Sequence, residues 1–288
     1  MSDEELITRI EDDWAPCRPP ERSKGGKRRG GIATIMRNSV KLAFEDRGAG
    51  KPAFVFVHGW TCDRSFFAPQ AEHFAQRHRV VSVDLRGHGE SDKPQGAYPV
   101  GAYAEDIAYI IGQLGLGKVV AVGHSLGGIT VLQLAAAHPG CVAAIVMVDP
   151  APFVFSSELR SAIEAMVAAI EAGNQEPRRQ FIRDHLFLPT SDRRLVEAVL
   201  EGMLAAPAHV AATAIRGALE FDARAAAASC KVPALHLAAT PPLNPPHLMS
   251  EWLPNVVNGW TVGAGHFNQL EVPDQVNAMI EGFLRHYV

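Results

Sequence analysis

The sequence has few cysteines, and none of them is arranged for a metal site. Its 288 residues contain four cysteines (Cys17, Cys62, Cys141 and Cys230) without a C-x-x-C spacing. This scatter argues against a zinc site and against a disulfide framework, so we expect free thiols in a reducing compartment. No apolar run approaches the roughly 18 residues of a membrane-spanning helix.

Neither sign of charge dominates. The chain has 27 Lys and Arg against 31 Asp and Glu, which leaves a net charge of −4. That balance gives no electrostatic reason to bind nucleic acid or an anionic membrane. The N-terminus begins Met-Ser-Asp-Glu-Glu, with acids where a secretory signal needs bases and an apolar core. We therefore expect a cytoplasmic protein with no nucleic-acid or membrane partner and no cofactor, and a homodimer stays open.

Residues 1–31 differ from the rest of the chain. Prolines 16, 19 and 20 are followed by a basic, glycine-rich run over residues 22–31. This composition is typical of a solvated linker, although a basic docking patch is an alternative. We interpret residues 1–31 as an N-terminal extension.

From residue 32 onwards, apolar strand patterns alternate with helical ones. The predicted strands are Ile32–Met36, Val40–Glu45, Ala53–Val57, Val80–Val83, Val119–Val122, Ala143–Val148, Ala234–Ala238 and Val257–Val262. The predicted helices are Phe66–Arg77, Tyr103–Leu114, Ile129–Ala136, His247–Trp252 and Pro273–His286. This alternation predicts an α/β fold with a mostly parallel, doubly wound sheet. Residues 153–222 lack strand patterns, so we expect a helical cap inserted into a core of residues 32–152 and 223–288.

The stretch Val119–Gly128 carries the clearest chemical signal. Four apolar residues run into Gly-x-Ser-x-Gly, with Ser125 at its centre, and a helix follows. Glycines 123 and 127 remove the Cβ atoms that would collide in so sharp a turn, and the helix N-terminus favours an anion near the serine. A glycine-rich turn with an incidental serine is the alternative. The flanking strand and helix favour a nucleophile.

A nucleophilic serine needs a base, and His266 is the best candidate. It lies in the loop Gly263–Phe267, just after the last predicted strand. His124 and His58 are explained by turn geometry, and His88 is explained by its tight loop, with contact to substrate as the alternative. Three others are interpreted as helix-surface or packing residues: His138, His236 and His286.

Together these motifs resemble the α/β-hydrolase superfamily. The matching pieces are His58–Trp60, Asp84–Asp92, Gly123–Gly128 and Gly263–Glu271 with Pro273, in the family's chain order. The resemblance implies an oxyanion hole formed by the backbone N–H groups of Trp60 and Leu126. Asp84, Glu90 and Asp92 are expected to shape their loop, and Glu271 to cap or brace the last helix.

The acidic residue that would orient the catalytic histidine departs from the family's commonest pattern. Most relatives carry Asp after the strand that matches Ala234–Ala238, but the loop Ala239–Pro246 has no carboxylate. Asn244 could orient an imidazole there without stabilising its charge. Asp149, after the strand Ala143–Val148, is similar in position to the acid of some haloalkane dehalogenases, zearalenone-type lactone hydrolases and cofactor-free dioxygenases. We assign it as the acid, with a carboxylate that caps the next turn as the alternative.

The predicted function is hydrolysis of a small apolar or aromatic ester or lactone by Ser125, His266 and Asp149. A cofactor-free dioxygenase or C–C bond-cleaving enzyme, with the His–Asp pair as base, is the alternative, and a binding module is a weaker one. Candidate pocket residues are Trp60, His124, Phe153, Phe181 and Phe187, with Phe155, Met166 and Met203 as further candidates. The arginines of the insertion, such as Arg178, are interpreted as a solvated face, with contact to an acidic substrate as the alternative.

Overall fold

The structure is a computed structural model that describes residues 31–288. The predicted N-terminal extension lies outside the described residues, apart from Gly31. The strands are β1 (Ile32–Arg37), β2 (Val40–Arg47), β3 (Ala53–Val57), β4 (Val80–Val83), β5 (Val119–His124), β6 (Val142–Val148), β7 (Ala234–Ala238) and β8 (Val256–Trp260). All eight predicted strands are present, and their bounds differ from the prediction by at most two residues.

The eight strands form one sheet in the order β1-β2-β4-β3-β5-β6-β7-β8. Strand β2 pairs antiparallel with both β1 and β4. The other six strands, β3 to β8, are parallel to one another. The predicted mostly parallel α/β sheet is therefore confirmed.

Within residues 31–288, eleven α-helices and two 3₁₀ turns connect or flank the strands, and the second of these turns is Pro139–Cys141. The α-helices are α1 (Ala68–Phe74), α2 (Val100–Gln113), α3 (Leu126–Ala137), α4 (Ser157–Glu171), α5 (Glu176–His185), α6 (Arg193–Leu204), α7 (Ala208–Leu219), α8 (Ala223–Ser229), α9 (Pro246–Trp252), α10 (Asn268–Glu271) and α11 (Pro273–Tyr287), and a 3₁₀ turn (Arg64–Phe67) precedes α1. The helix predicted to begin at Phe66 therefore starts as this 3₁₀ turn.

The sheet is buried on both faces because successive residues of a strand point to opposite sides. In β5, Val119 and Ala121 pack into the core beneath α2 and α3. Val120 and Val122 pack into the core beneath α1 and α11. Helices on both faces leave only the strand ends open, which is where loops can assemble a site.

The segment between β6 and β7 is helical. Its first four helices, α4 to α7, bring residues to the cavity described below, whereas α8 packs against α3. Side-chain caps explain where three of these helices begin. Ser156 accepts a hydrogen bond from Leu159 N at α4, and Asp192 and Asp222 cap α6 and α8 in the same way. Asp222, which shows no partner in the sequence, is thus an N-cap.

The described cysteines differ from the prediction at one position. Cys62 and Cys230 are buried free thiols. Cys141 is disulfide-bonded, so the prediction of free thiols is wrong there and loses force as support for a reducing compartment. Within residues 31–288, no single helix is both long and apolar enough to cross a membrane. A cytoplasmic location stays a prediction.

Candidate active site

Ser125 occupies a sharp turn between β5 and α3. Its backbone has φ 55° and ψ −117°, a region that side-chain-bearing residues rarely adopt. A Cβ atom on Gly123 would overlap the carbonyl oxygen of Gly127, and one on Gly127 would overlap that of Val57. The two glycines therefore permit the close approach of β5, α3 and β3 that holds the serine at the strand end.

Asp149 and His266 are joined by a short hydrogen bond. His266 Nδ1 donates to Asp149 Oδ2 over 2.6 Å, and the two residues are 8% and 1% exposed, respectively. The other oxygen, Oδ1, accepts longer bonds from the backbone N–H groups of Ala239 (3.3 Å) and Leu243 (3.4 Å). With Nδ1 protonated, the free Nε2 of His266 is available as a base.

Four further hydrogen bonds hold the histidine loop in place. His266 N donates to the carbonyl oxygen of Leu186 at 3.0 Å, and the His266 carbonyl accepts from His124 Nε2 at 2.9 Å. Gly265 N donates to Glu271 Oε1 at 2.9 Å, and Ser191 Oγ donates to Glu271 Oε2 at 2.5 Å. Glu271 therefore braces the histidine loop against the helical insertion, not the last helix as predicted.

Ser125 and His266 line the same cavity. In the part of the chain that the structure describes, the His266 side chain is hydrogen-bonded to Asp149 and not to Ser125. Hydrogen bonds between catalytic groups are often long before substrate binds. The cavity has a volume of about 460 Å³. Its walls are formed by Trp60, Cys62, His124, Ser125, Leu126, Ala151, Pro152, Phe155, Glu158, Leu159, Ala162, Ile163, Phe181, His185, Leu186, Met203, Ile215, Ala218, Leu243, His266 and Phe267.

Most of this lining is apolar, and much of it comes from the insertion. Of the candidate pocket residues, Trp60, His124 and Phe181 line the cavity, as do Phe155 and Met203. An apolar cavity with a few convergent polar groups is typical of small-molecule sites.

Two candidate pocket residues lie behind the wall. The Phe153 ring stacks on Trp252 with 6.1 Å between ring centroids. The Phe187 ring stacks at 5.3 Å on Phe267, which lines the cavity in its place. Their assignment to the pocket is wrong because neither ring is among the residues that line the cavity. Met166 is likewise buried in the core.

The interpretation of Arg178 as part of a solvated face is also wrong. It is 1% exposed, and its guanidinium donates to the carbonyl oxygens of Met203 and Ala206, where α6 ends. Burial lowers the pKa of Arg178 to about 10. The cation thus caps the C-terminus of a helix and lies 5.4 Å from the ring of Trp60. Nothing in the sequence distinguishes Arg178 from the neighbouring arginines of the insertion, so this role could not be predicted.

Burial keeps the histidines around the serine turn neutral. Desolvation lowers the pKa of His58 and, more strongly, that of His124. It lowers the pKa of His88 to about 3. His58 Nδ1 donates to the Gly59 carbonyl, and its Nε2 accepts from Leu85 N, so it braces two loops. His88 packs beside His58 and not on the cavity wall.

The loop of Asp84 is held as predicted. Asp84 accepts from the backbone N–H groups of Arg64 and Glu90 and pairs with the Arg64 guanidinium. Asp92 accepts from Lys41 N at 2.8 Å. No group of three or more histidine, cysteine or acidic side chains in residues 31–288 is placed to hold a metal ion.

Asn244 does not touch the imidazole. Its side chain bonds to the backbone of Pro150, Ala151 and Phe153, immediately after Asp149. The sequence offered no sign of this contact, which joins residues about 90 positions apart.

The chain matches the model of the α/β-hydrolase fold over residues 52–273. It is 36% identical over 136 residues to a 2-(acetamidomethylene)succinate hydrolase of Mesorhizobium japonicum, covering 47% of each chain. The chain thus aligns with about half or less of the length of the curated relatives it matches.

Solved structures extend the likeness over most of the chain. A thermophilic esterase from Thermogutta terrifontis has 27% identity and a TM-score of 0.77, covering 90% of this chain and 98% of that one. The enol-lactonase from Burkholderia xenovorans LB400 has a TM-score of 0.81 over 88% of this chain and all of that one, but only 20% identity, so it shows the fold alone. The sheet order, the serine turn and these matches lead to one conclusion: the chain belongs to the α/β-hydrolase fold family.

Proposed function

We propose that the protein is a serine hydrolase that cleaves a carboxylic ester or lactone through an acyl-enzyme. The observation that carries the proposal is the 2.6 Å bond from His266 to Asp149, beside Ser125 in one apolar cavity. A buried carboxylate that bonds Nδ1 of a histidine fixes the tautomer needed for a base and stabilises the imidazolium that forms.

In this mechanism Ser125 Oγ attacks the carbonyl carbon of the substrate while its proton passes to His266 Nε2. The tetrahedral intermediate collapses, and His266 returns the proton to the leaving alkoxide, which departs as the alcohol. A water molecule then attacks the acyl-enzyme, with His266 again as base. The acid product leaves and the Ser125 hydroxyl is regenerated. In a lactone the alcohol stays attached to the acid, so one product forms.

The backbone N–H groups of Trp60 and Leu126 are proposed as the oxyanion hole. Leu126 is the first residue of α3, so its N–H belongs to the set that a helix leaves without internal partners. The positive end of the helix dipole adds to the stabilisation of an anion there. Trp60 follows β3 and lines the same cavity as Leu126.

Two similar proteins support an ester or a lactone as the substrate. The esterase from Thermogutta terrifontis resembles this chain over nearly its whole length. A structure described as an N-acyl homoserine lactone degrading enzyme shares the fold at a TM-score of 0.73 and 22% identity. The apolar cavity suits a small apolar or aromatic ester or lactone.

The proposal is tested by labelling and by a variant. Wild-type protein is expected to react covalently with a fluorophosphonate probe at Ser125 and to turn over a member of a panel of p-nitrophenyl esters and aromatic lactones. Ser125→Ala should lose labelling and at least about 10⁴ in kcat while its unfolding temperature stays close to wild type. Ser161→Ala, an exposed serine on α4, is the matched control. Normal turnover by Ser125→Ala would exclude it as the nucleophile.

A second candidate is a cofactor-free dioxygenase or C–C bond-cleaving enzyme in which the His266–Asp149 pair deprotonates the substrate. The observation in its favour is that, within residues 31–288, the His266 side chain is hydrogen-bonded to Asp149 and receives no hydrogen bond from Ser125. Oxygen uptake with a hydroxyquinoline-like substrate, retained in Ser125→Ala, would identify this reaction. Ester turnover that depends on Ser125 would exclude it.

A further inference from the structure

The chain that follows β6 is wrapped closely around Ser125. Ser125 N donates to Val148 O at 3.1 Å, and Ala151 N donates to Ser125 O at 3.0 Å. Asp149, between them, has a φ of 36°, where a residue with a Cβ is strained. Such a conformation persists only where surrounding contacts hold it, so something must fix the segment after Asp149.

Asn244 supplies those contacts from the loop after β7. Its Oδ1 accepts from Phe153 N at 2.7 Å, and its Nδ2 donates to Pro150 O at 2.8 Å and to Ala151 O at 3.2 Å. The partners decide which end of the amide is which, because an N–H can only donate and a carbonyl can only accept. One side chain thus holds three of the four residues after Asp149.

The contact is fully enclosed. Asn244 is 1% exposed, and Ala151 and Phe153 are also buried. Without the amide, two carbonyl oxygens and one N–H of this segment would lose a partner in a place that water reaches poorly. Because Ala151 N also bonds Ser125 O, movement of the segment would reach both Asp149 and Ser125.

We propose that Asn244 is a positioning residue that acts through Asp149, by clamping the backbone of Pro150–Phe153 so that the carboxylate meets His266 Nδ1. The proposal rests on the proposed function, in which Asp149 is the acid of the triad. Asn244 itself makes no hydrogen bond to His266 and does not line the cavity.

The test is a double-mutant cycle on the full-length protein, with an ester that wild type hydrolyses. Asp149→Asn is expected to lower kcat by about 10⁴ by enforcing the wrong tautomer. Asn244→Ala should lower kcat by about 10², the scale of a misplacement of about 1 Å, with KM little changed. In the Asp149→Asn background the same change should cost less than about threefold, because the group it positions is already lost.

The pH profile gives a second readout. If the carboxylate no longer meets His266, the imidazolium loses stabilisation and the acid limb of kcat/KM moves to lower pH in Asn244→Ala, as in Asp149→Asn. Asn258→Ala is the matched control, because Asn258 also bonds with both ends of its amide, to His236 and Ser250 at the sheet edge. It should lower stability without moving the acid limb.

Asn244→Asp covers the case in which the alanine variant does not fold. It keeps the size of the side chain and the acceptor for Phe153 N but removes both donors, so the same loss and the same non-additivity are expected. Additive effects on kcat with an unmoved acid limb would overturn the role of Asn244 and leave the triad intact. Near-normal turnover by Asp149→Asn would instead overturn the proposed function.

Discussion

Trp60 Nε1 donates a 2.8 Å hydrogen bond to the carbonyl oxygen of Ala211. Trp60 follows β3 in the core of the sheet, whereas Ala211 belongs to α7 of the insertion. The ring of Trp60 also meets the Arg178 guanidinium at 5.4 Å and the Phe181 ring at 6.4 Å. The insertion therefore holds the loop whose backbone N–H is proposed to bind the oxyanion, in addition to walling the cavity.

Trp60→Phe should lower kcat by about tenfold with little change in KM. The phenyl ring keeps the contact with Arg178 but loses the bond to Ala211, so the backbone donor drifts from where charge develops in the transition state. The loss in the free energy of unfolding should be about 1 kcal/mol. Trp260→Phe, at an exposed tryptophan on β8, is the matched control. The two variants should differ in steady-state ester kinetics, and equal kinetics would contradict the coupling.

Phe181→Ala should change the preference among acyl chains, and Phe153→Ala should not. Phe181 lines the cavity and its removal enlarges it, which favours longer acyl groups relative to short ones. Phe153 packs on Trp252 behind the wall, so its truncation should cost about 3–5 kcal/mol of stability with unchanged selectivity. Relative kcat/KM across p-nitrophenyl esters of increasing length, with urea unfolding, measures both. The same selectivity change in both variants would contradict the assignment of Phe181, and not Phe153, to the cavity wall.

Glu158 should make the enzyme discriminate against acyl groups that carry a carboxylate. Hydrogen bonds from its own backbone N–H and from the hydroxyls of Ser156 and Ser157 lower the pKa of Glu158, so it is ionised at neutral pH. It lines the cavity, and no lysine or arginine among residues 31–288 does so. An anionic acyl group would lose hydration without gaining a partner.

The matched substrates are p-nitrophenyl hexanoate and the mono-p-nitrophenyl ester of adipic acid, whose acyl chains are equally long. We expect kcat/KM to favour the neutral ester by more than about tenfold, and Glu158→Gln to narrow the ratio by a few-fold at low salt. Glu164→Gln, an exposed glutamate of α4 outside the cavity wall, should leave the ratio unchanged. Equal turnover of both esters would refute the prediction.

The buried histidines should make the protein less stable as the pH falls below about 6.5. The pKa of His88 is lowered from 6.5 to about 3 in the folded protein. The unfolded chain therefore binds the extra proton between these values, and stability is lost as the pH falls through that window. Each such histidine contributes up to about 1.4 kcal/mol per pH unit.

His88→Gln removes one of these protons while a similar volume is kept. Its free energy of unfolding, measured with urea between pH 7 and pH 5, should fall less steeply than that of wild type. His286→Gln, at an exposed histidine near the end of α11, should follow the wild-type slope. Parallel slopes for all three proteins would show that His88 is not held neutral in the fold.

The sheet, the serine turn and the place of His266 in the loop after the last strand could all be predicted from the amino-acid pattern. These rest on local patterns: alternation of strand and helix, two glycines that admit a tight turn, and a histidine just after a strand. Asp149 could be assigned because parallel strands end at one edge of a sheet and the competing loop lacks a carboxylate. The structure places its carboxylate against His266, and its catalytic role stays a prediction.

Which side chains of the insertion face the cavity could not be predicted, because that depends on how distant segments pack together. Phe153 and Phe155 are neighbours of the same type, yet one stacks on Trp252 and the other lines the wall. Helical periodicity says which residues share a face, but the partner of that face lies on a distant element and leaves no local trace. For the same reason, neither the burial of the Arg178 guanidinium nor the clamp formed by Asn244 could be predicted from the sequence. Each depends on backbone groups far along the chain, which only the packing of insertion, sheet and loops brings within hydrogen-bonding distance.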